Sequence, residues 1–420
     1  MMKSRVPLER DLGMHYYASE TEGVGGVLRS TADDFRVDEI PVDVGNGGPY
    51  LICRLEKRDW ELQHAVKELA KRLGISHRRI GFGGTKDRHA VTSQLISLYN
   101  VTPEQIGLIR LKDITIEVLG HSQHALSLGS LKGNRFGIVI RDLEGCDLAA
   151  QVASVTGTVA EGLPNYYGIQ RFGVIRPLTH LVGECILKGD FESAVTMYIG
   201  KQFPDEPENI RIARNAFFES RDPASALHDF PVPLSYERAM LHHLVGNPLD
   251  YKGALQVLPP KLLSMFVSAF QSYLFNCALS VRFDDGFGLN EPVPGDRLIF
   301  DNGREDFVTA QNVTLAGRHI QRGKCRIALF MPGALGDKNC IDPVTGALLR
   351  DHGITSGDFE KAQSFVRTRF NGALRSVSLS TYVEAVLDHD TLRLDFALPP
   401  GHYATTVCRE YMKTDPLRMI

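Results

Sequence analysis

The feature that most constrains the fold is an apolar segment, LLSMFVSAFQSYLFNCALSV, at residues 262 to 281. A helix of this length is long enough to cross a bilayer, so the segment must be covered either by lipid or by a large protein interior. Polar side chains are spread through its middle: Ser264, Ser268, Gln271, Ser272 and Asn276. That pattern is typical of a core helix. We therefore predict a helix buried in a globular domain.

The length of 420 residues predicts two or three domains, because a single core rarely serves a chain of this size. The middle of the chain differs in composition, with Pro, Asp, Glu and Asn frequent at 204–233 and Gly, Asp and Asn frequent at 284–306. We predict an inserted or separate domain over roughly 165–375, with each boundary defined only to ten residues or more. Strand and helix patterns mix without regular βαβ alternation, which favours the α+β class.

Local patterns predict several elements outside the middle of the chain. Residues 25–40 have the pattern of a strand, a polar turn and a second strand. Asp59 is predicted to cap a helix that ends at Gly74. A second helix is expected at 147–161. Alternating apolar residues predict strands at the three segments 113–120, 134–143 and 391–398.

The cysteines are odd in number, widely spaced and form no CxxC pair. They are Cys53, Cys146, Cys185, Cys277, Cys325, Cys340 and Cys408. This spacing indicates reduced thiols rather than a disulfide framework or a zinc ribbon. The start of the chain lacks the apolar stretch of a signal peptide. We therefore expect a cytoplasmic protein without a metal site.

Charge is distributed unevenly along a chain whose net charge is only −3. Residues 67–88 carry seven cations against two acids. The cations are Lys67, Lys71, Arg72, Arg78, Arg79, Lys86 and Arg88. Such a patch is most often a solvated surface, and it is also what phosphate or RNA binding requires.

The segment GFGGTKDRHAVTSQ, residues 81 to 94, combines glycines with charged side chains. A phosphate-binding P-loop places lysine before Ser or Thr, whereas here Thr85 precedes Lys86. The later segment GRHIQRGKC, residues 317 to 325, has the wrong glycine spacing and ends on cysteine. The residue order therefore disfavours a nucleotide-dependent enzyme.

A single carboxylate, Asp87, lies between the cations Lys86 and Arg88 in this glycine-hinged loop. The ordinary interpretation is a surface acid that pairs locally, which stabilises little. The functional interpretation is a nucleophile that neighbouring cations keep ionised and that works without a metal. The same cations attract a polyanion.

Six segments, in order, resemble the motifs of the TruD family of pseudouridine synthases. GGTKDRHAVTSQ resembles the family's Gly-x-Lys-Asp-Arg-x-Ala-Val-Thr-x-Gln string. The other five are GGVLRSTADDFRVDEI (25–40), LKGNRFGIVIR (131–141), GLPNYYGIQRFG (162–173), FVSAFQSYLFN (266–276) and LPPGHYATTVCRE (398–410). The resemblance implies a two-part catalytic domain, 1–164 and 376–420, with a mixed, mainly antiparallel sheet flanked by helices. It also implies an inserted α+β TRUD domain at 165–375.

The resemblance implies that the chain isomerises uridine to pseudouridine in tRNA, at position 13, without a cofactor. Asp87 matches the family's catalytic aspartate, which attacks either the uracil ring or the ribose anomeric carbon. Phe35 and Tyr403 match aromatic positions that contact the target nucleotide, as a flipped base requires. Asn134 matches a polar position at the substrate. Arg29 stands where many members have lysine and is expected to bind substrate.

Other matched residues carry alternatives. Phe136, assigned to the substrate site, alternates with Ile138 and Ile140, so a core role is as consistent as a pocket role. Arg171, together with Asn165 and Gln170, would dock RNA or hold a domain junction.

Lys86, Arg88, Arg78 and Arg79 are expected to dock RNA. A monomer is expected, with tRNA as its partner and no membrane. The competing interpretation is an RNA-binding or RNA-chaperone module in which catalysis is secondary.

Overall fold

The computed structural model describes residues 1–334 and 342–420, and Cys340 lies outside them. The strands in these ranges are β1 (Met2–Lys3), β2 (Tyr16–Tyr17), β3 (Gly25–Leu28), β4 (Phe35–Pro41), β5 (Tyr50–Arg58), β6 (Ile80–Phe82), β7 (Val91–Tyr99), β8 (Ile114–Ser122), β9 (Leu131–Leu143), β10 (Leu163–Pro164), β11 (Arg297–Phe300), β12 (Glu305–Phe307), β13 (Cys325–Met331), β14 (Ala373–Ser376), β15 (Ser378–Leu379), β16 (Val383–Asp388) and β17 (Thr391–Leu398).

Helices make up most of the remaining described chain. They are α1 (Pro7–Asp11), α2 (Leu62–Leu73), α3 (Pro103–Gly107), α4 (Leu148–Glu161), α5 (Thr179–Lys188), α6 (Phe191–Gly200), α7 (Glu208–Ser220), α8 (Pro223–Asp229), α9 (Ser235–Gly246), α10 (Tyr251–Gln256), α11 (Pro260–Asp284), α12 (Val313–Gln321), α13 (Pro343–Asp351), α14 (Ser356–Val366) and α15 (Ala404–Met412). The mixture of strands and helices confirms the predicted α+β class.

The chain forms two compact units. We call Ala18–Leu163 with Leu379–Ile420 the sheet unit, and Met1–Tyr17 with Pro164–Ser378 the helical unit. The first seventeen residues thus group with the middle of the chain, whereas the family resemblance implies that they belong to the two-part catalytic domain. The naming of the units as catalytic domain and inserted TRUD domain stays a prediction.

One nine-stranded sheet organises the sheet unit, with strands in the order β16-β17-β9-β4-β7-β5-β8. All of these neighbours are antiparallel except β4 and β7, which are parallel. β3 pairs with the second half of β9, and β6 pairs with β7. The sheet is therefore mixed and mainly antiparallel, as predicted.

Alternation along the strands separates a core face from an exposed face. On the core face, β9 and β17 pack against α4 and α15, and β5 and β7 pack against α2. Charged residues occupy the opposite face, where Arg36 pairs with Asp38 and Arg54 pairs with Glu117. This division matters for the site, because several polar residues lie on the core face.

The helix predicted at 147–161 is confirmed as α4, which begins at Leu148 with Asp147 as its N-cap and ends at Glu161, before Gly162. The local prediction is wrong at the start of α2. Its N-cap is Glu61, whose side chain accepts from the His64 amide, whereas Asp59 lies outside the helix with φ 56°. Gly74 ends α2 in the left-handed region, as predicted.

In the helical unit, α11 runs through a core shared with α5, α9 and α14. A four-stranded antiparallel sheet, β12-β11-β13-β14, belongs to the same unit. Among the described residues, α11 is the one helix long and apolar enough to cross a membrane, and 67% of its most apolar window is buried inside the protein. The burial agrees with the prediction of a core helix.

Candidate active site

The candidate nucleophile lies in the loop of residues 83–90, which connects β6 to β7 and which we call the Asp87 loop. Its first glycine lets the backbone pass close to a neighbouring segment. A Cβ added at Gly83 would lie 2.7 Å from the main-chain oxygen of Ser130, and the Gly83 carbonyl accepts from the Gly129 amide at 2.8 Å. The glycine thus serves close packing here, rather than the hinge that the sequence pattern indicated.

Asp87 combines an accessible carboxylate with a cation. Its side chain is 44% exposed, and its Oδ1 accepts from Nη2 of Arg29 at 3.0 Å. The Arg29 side chain is only 13% exposed. The predicted substrate residue Arg29 is therefore the ion-pair partner of Asp87.

Arg29 follows β3 with φ 58°, in the left-handed region that non-glycine residues seldom adopt. Its guanidinium carbon lies 3.9 Å from the centroid of the Phe35 ring. The backbone conformation of Arg29 and its contact with the Phe35 ring together direct the guanidinium toward the Asp87 loop. Backbone strain of this kind often accompanies a functional site.

The predicted aromatic residues Phe35 and Phe136 lie in the core of the sheet unit. Phe35 is 1% exposed and contacts Phe136 edge to face, with centroids 6.5 Å apart. Phe136 stacks on Phe396 at 5.4 Å. The core interpretation of Phe136 therefore has direct support, and contact of either ring with a nucleotide stays a prediction.

The two sequence neighbours of Asp87 do not have the arrangement that the local pattern suggested. Nζ of Lys86 pairs with Oε2 of Glu39 at 2.9 Å, and both side chains are at most 4% exposed. Arg88 is exposed and, in the parts of the chain that the structure describes, forms no ion pair. The cation that supports the carboxylate comes from Arg29, and burial disfavours the predicted RNA docking by Lys86.

Four buried polar atoms near this end of the sheet have no hydrogen-bond partner among the described residues: Nε of Arg29, Oγ1 of Thr92, Oε1 of Gln94 and Oδ1 of Asn134. Asn134 lies on β9, opposite Glu39 of β4 and Leu398 of β17. Leaving such an atom unpaired costs about 1–3 kcal/mol, so the arrangement favours a polar ligand that supplies the missing bonds.

The other predicted residues are distributed over both units. Tyr403 is the N-cap residue of α15 in the sheet unit and is half-buried. Arg78 is exposed, while Arg79 donates to the carbonyls of Tyr99 and Asn100 and so anchors the basic segment to the end of β7. Arg171 lies in the helical unit, where its Nε donates to Ser272 Oγ at 3.1 Å. RNA docking by these arginines stays a prediction.

Two residues that contact the Asp87 loop through buried side chains, Lys57 and Glu39, are not among the predicted site residues. Nζ of Lys57 donates to the main-chain oxygen of Asp87 at 2.7 Å. The signal was present in the alternation of the strands, since Leu55 of β5 and Val37 of β4 are core residues two positions before them. A charged residue at such an inward position indicates a specific buried partner.

The arrangement provides an accessible carboxylate, a cation on one of its oxygens and unpaired polar groups nearby. An ionised carboxylate of this kind is suited to nucleophilic attack on an electrophilic carbon. Within the described residues, no group of three or more His, Cys, Asp or Glu side chains could hold a metal ion.

Comparison with known proteins identifies the relatives of this chain. The family model for TruD, tRNA pseudouridine synthase D, matches residues 11–411. A protein of Methanococcoides burtonii named "Probable tRNA pseudouridine synthase D" is 38% identical over 433 residues, covering 98% of both chains. A Methanosarcina acetivorans protein of the same name is 39% identical over the full length of both. A crystal structure assigned as TruD from Methanosarcina mazei matches with TM-score 0.83 and 38% identity, covering 99% of this chain and 100% of that one.

Proposed function

The chain belongs to the TruD family of tRNA pseudouridine synthases, which are isomerases, and on that premise we propose that it converts uridine 13 of tRNA to pseudouridine with Asp87 as nucleophile. The observation that carries the proposal is the accessible Asp87 carboxylate, 44% exposed and held at one oxygen by Arg29.

The reaction is an isomerisation whose atoms and electrons balance within the substrate. The bond from uracil N1 to the ribose C1′ breaks, and a bond from uracil C5 to C1′ forms. C5 loses a proton and N1 gains one. Because nothing is oxidised or transferred to a second molecule, the proposal requires no cofactor. Attack by Asp87 on the ring or on C1′ is consistent with this balance.

Residues of the sheet unit supply the remaining groups in this proposal. Asn134 and Gln94 offer unpaired amide oxygens to a nucleotide edge or to ribose hydroxyls. Tyr403 offers an aromatic face to the flipped base. Exposed cations such as Arg88 and Arg78 attract the RNA backbone, so that tRNA affinity should fall with increasing salt. We further propose a cytoplasmic monomer.

The proposed reaction is tested with unmodified tRNA that carries tritium at C5 of its uridines. Forming pseudouridine releases the C5 hydrogen, so the protein should release one tritium per tRNA. A tRNA with cytidine in place of uridine 13 should release none. Tritium release from the tRNA with cytidine at position 13 would contradict the proposal that uridine 13 is the modified residue. Tight tRNA binding without release from any tRNA would contradict the synthase and favour an RNA-binding module.

Replacing Arg29 with Met is expected to lower the turnover rate by about 10²-fold, because a preorganised charged partner of the reacting group is lost. Arg29→Lys should restore a substantial part of the rate, since it keeps the charge although it lacks the planar guanidinium that lies over the Phe35 ring. Arg36→Met, which removes an exposed arginine that pairs with Asp38 on the opposite face of the sheet, is the matched control. If Arg29→Met turned over tRNA as fast as the Arg36→Met control, the ion pair between Arg29 and Asp87 would have no role in the reaction.

A further inference from the structure

Lys57 occupies the last core-facing position of β5. Alternate residues of this strand, Leu51, Cys53 and Leu55, are all at most 1% exposed, and Lys57 continues the series at 1%. Its partner in the sheet is Thr92 of β7. An ammonium group so deeply buried is costly unless a specific group receives its hydrogen bond.

The group that receives this bond is the backbone of Asp87. Nζ of Lys57 donates to the Asp87 main-chain oxygen at 2.7 Å, and in the described ranges Lys57 forms no ion pair. A hydrogen bond from a charged donor is roughly twice as strong as a neutral one. The contact therefore fixes the peptide unit of Asp87 and leaves its carboxylate exposed.

Other buried side chains fix the same loop at different residues. From β4, Glu39 binds the Lys86 ammonium, and from β7, Nε2 of Gln94 donates to the carbonyl of Gly84 at 3.0 Å. Of these three contacts, the one from Lys57 is made to Asp87 itself.

We propose that Lys57 is the positioning residue of Asp87, because its buried ammonium holds the Asp87 carbonyl and so sets the direction in which the carboxylate faces the substrate. This inference rests on the proposed function, in which Asp87 is the nucleophile. Lys57 contacts neither the carboxylate nor the substrate in this proposal, and it acts through the backbone alone.

If Lys57 positions Asp87 in this way, the reaction rate should depend on whether Lys57 is protonated. Burial lowers the pKa of Lys57 to about 8, against the opposing effect of Asp87, Glu61 and Asp59, while Lys86 lowers it further. Arg29 also faces this cluster through its ion pair with Asp87. Lys57 is therefore charged below about pH 8 and neutral above it, and the hydrogen bond weakens as the charge is lost. The reaction rate should fall as pH rises through this value.

The test measures single-turnover tritium release at saturating tRNA across the neutral and alkaline range. We expect Lys57→Met to react about 30- to 100-fold more slowly than wild type at neutral pH, to bind tRNA within about threefold of wild type, and to lose the fall near pH 8. Lys57→Arg should keep most of the rate without that fall, because the guanidinium remains charged. A wild-type rate for Lys57→Met, or the same fall in all three proteins, would overturn the proposal.

A second measurement is independent of catalysis. Hydrogen exchange of the backbone amides in the Asp87 loop should be about tenfold faster in Lys57→Met than in wild type, while the amides of α4 in the same variant exchange at the wild-type rate. The control protein is Lys67→Met, which changes an exposed lysine of α2. Its Asp87 loop should exchange at the wild-type rate. Unchanged exchange in the loop would overturn the positioning role. If wild type isomerised no tRNA, the proposed function would fail while this measurement still decided whether Lys57 holds the loop.

Discussion

Asp87→Asn is expected to lower pseudouridine formation by at least about 10³-fold, because an amide is nearly isosteric with the carboxylate but is a poor nucleophile. The loop should keep its conformation, since Lys57 holds the Asp87 carbonyl and Glu39 holds Lys86, and neither contact uses the Asp87 carboxylate. Affinity for tRNA should therefore stay within about threefold of wild type. Nucleoside analysis of the treated tRNA and filter binding measure the two quantities.

The matched control is Asp38→Asn. Asp38 also pairs with an arginine, at 2.9 Å, and is partly exposed, but it lies on the opposite face of the sheet. We expect it to keep the wild-type rate. A loss in the control similar to that in Asp87→Asn would show that the amide substitution acts through the fold. Loss of tRNA binding in Asp87→Asn would place the residue in docking rather than in chemistry.

Arg214→Met is expected to destabilise the helical unit by about 3–5 kcal/mol, the range for breaking a buried ion pair from one side. Arg214 is 1% exposed and bonds Oε1 of Glu206 at 2.8 Å and Oε1 of Glu237 at 2.9 Å. Arg176 contacts the same two carboxylates. The four charges cancel in wild type, so removing Arg214 leaves two buried carboxylates that share a single cation.

The denaturant midpoint of the helix signal in circular dichroism measures this loss. Lys361→Met is the control in the same unit, because Lys361 is 80% exposed and pairs with Asp358 three residues away. Such a surface pair contributes at most about 1 kcal/mol. If the two variants unfolded at the same denaturant concentration, the buried network would not stabilise the unit as inferred.

Elements that depend on local patterns could be predicted from the sequence. The alternation in β17 and the cap and stop signals of α4 require only neighbouring residues, and the structure reproduces both. The sequence pattern wrongly predicts Asp59 as the cap of α2, because a cap is defined by backbone geometry and Asp59, with φ 56°, lies outside the helix. Its carboxylate instead contacts Nδ1 of His89 at 2.6 Å.

The partners of Asp87 could not be predicted, because they come from distant parts of the chain. Arg29 lies 58 residues away and Lys57 lies 30 residues away, and only the register of the sheet brings them to the loop. The local pattern pointed to Lys86 and Arg88 because adjacent charges are visible in a sequence. Adjacent residues need not face the same way, and Lys86 turns to a buried carboxylate instead.

Single-turnover tritium release with wild type and Asp87→Asn at equal tRNA occupancy tests the role of Asp87 most directly. If Asp87 is the nucleophile, wild type releases one tritium per tRNA, and Asp87→Asn, although it binds the tRNA, releases none over the same period. Release by Asp87→Asn at a rate close to wild type would contradict the assignment of Asp87 as the nucleophile.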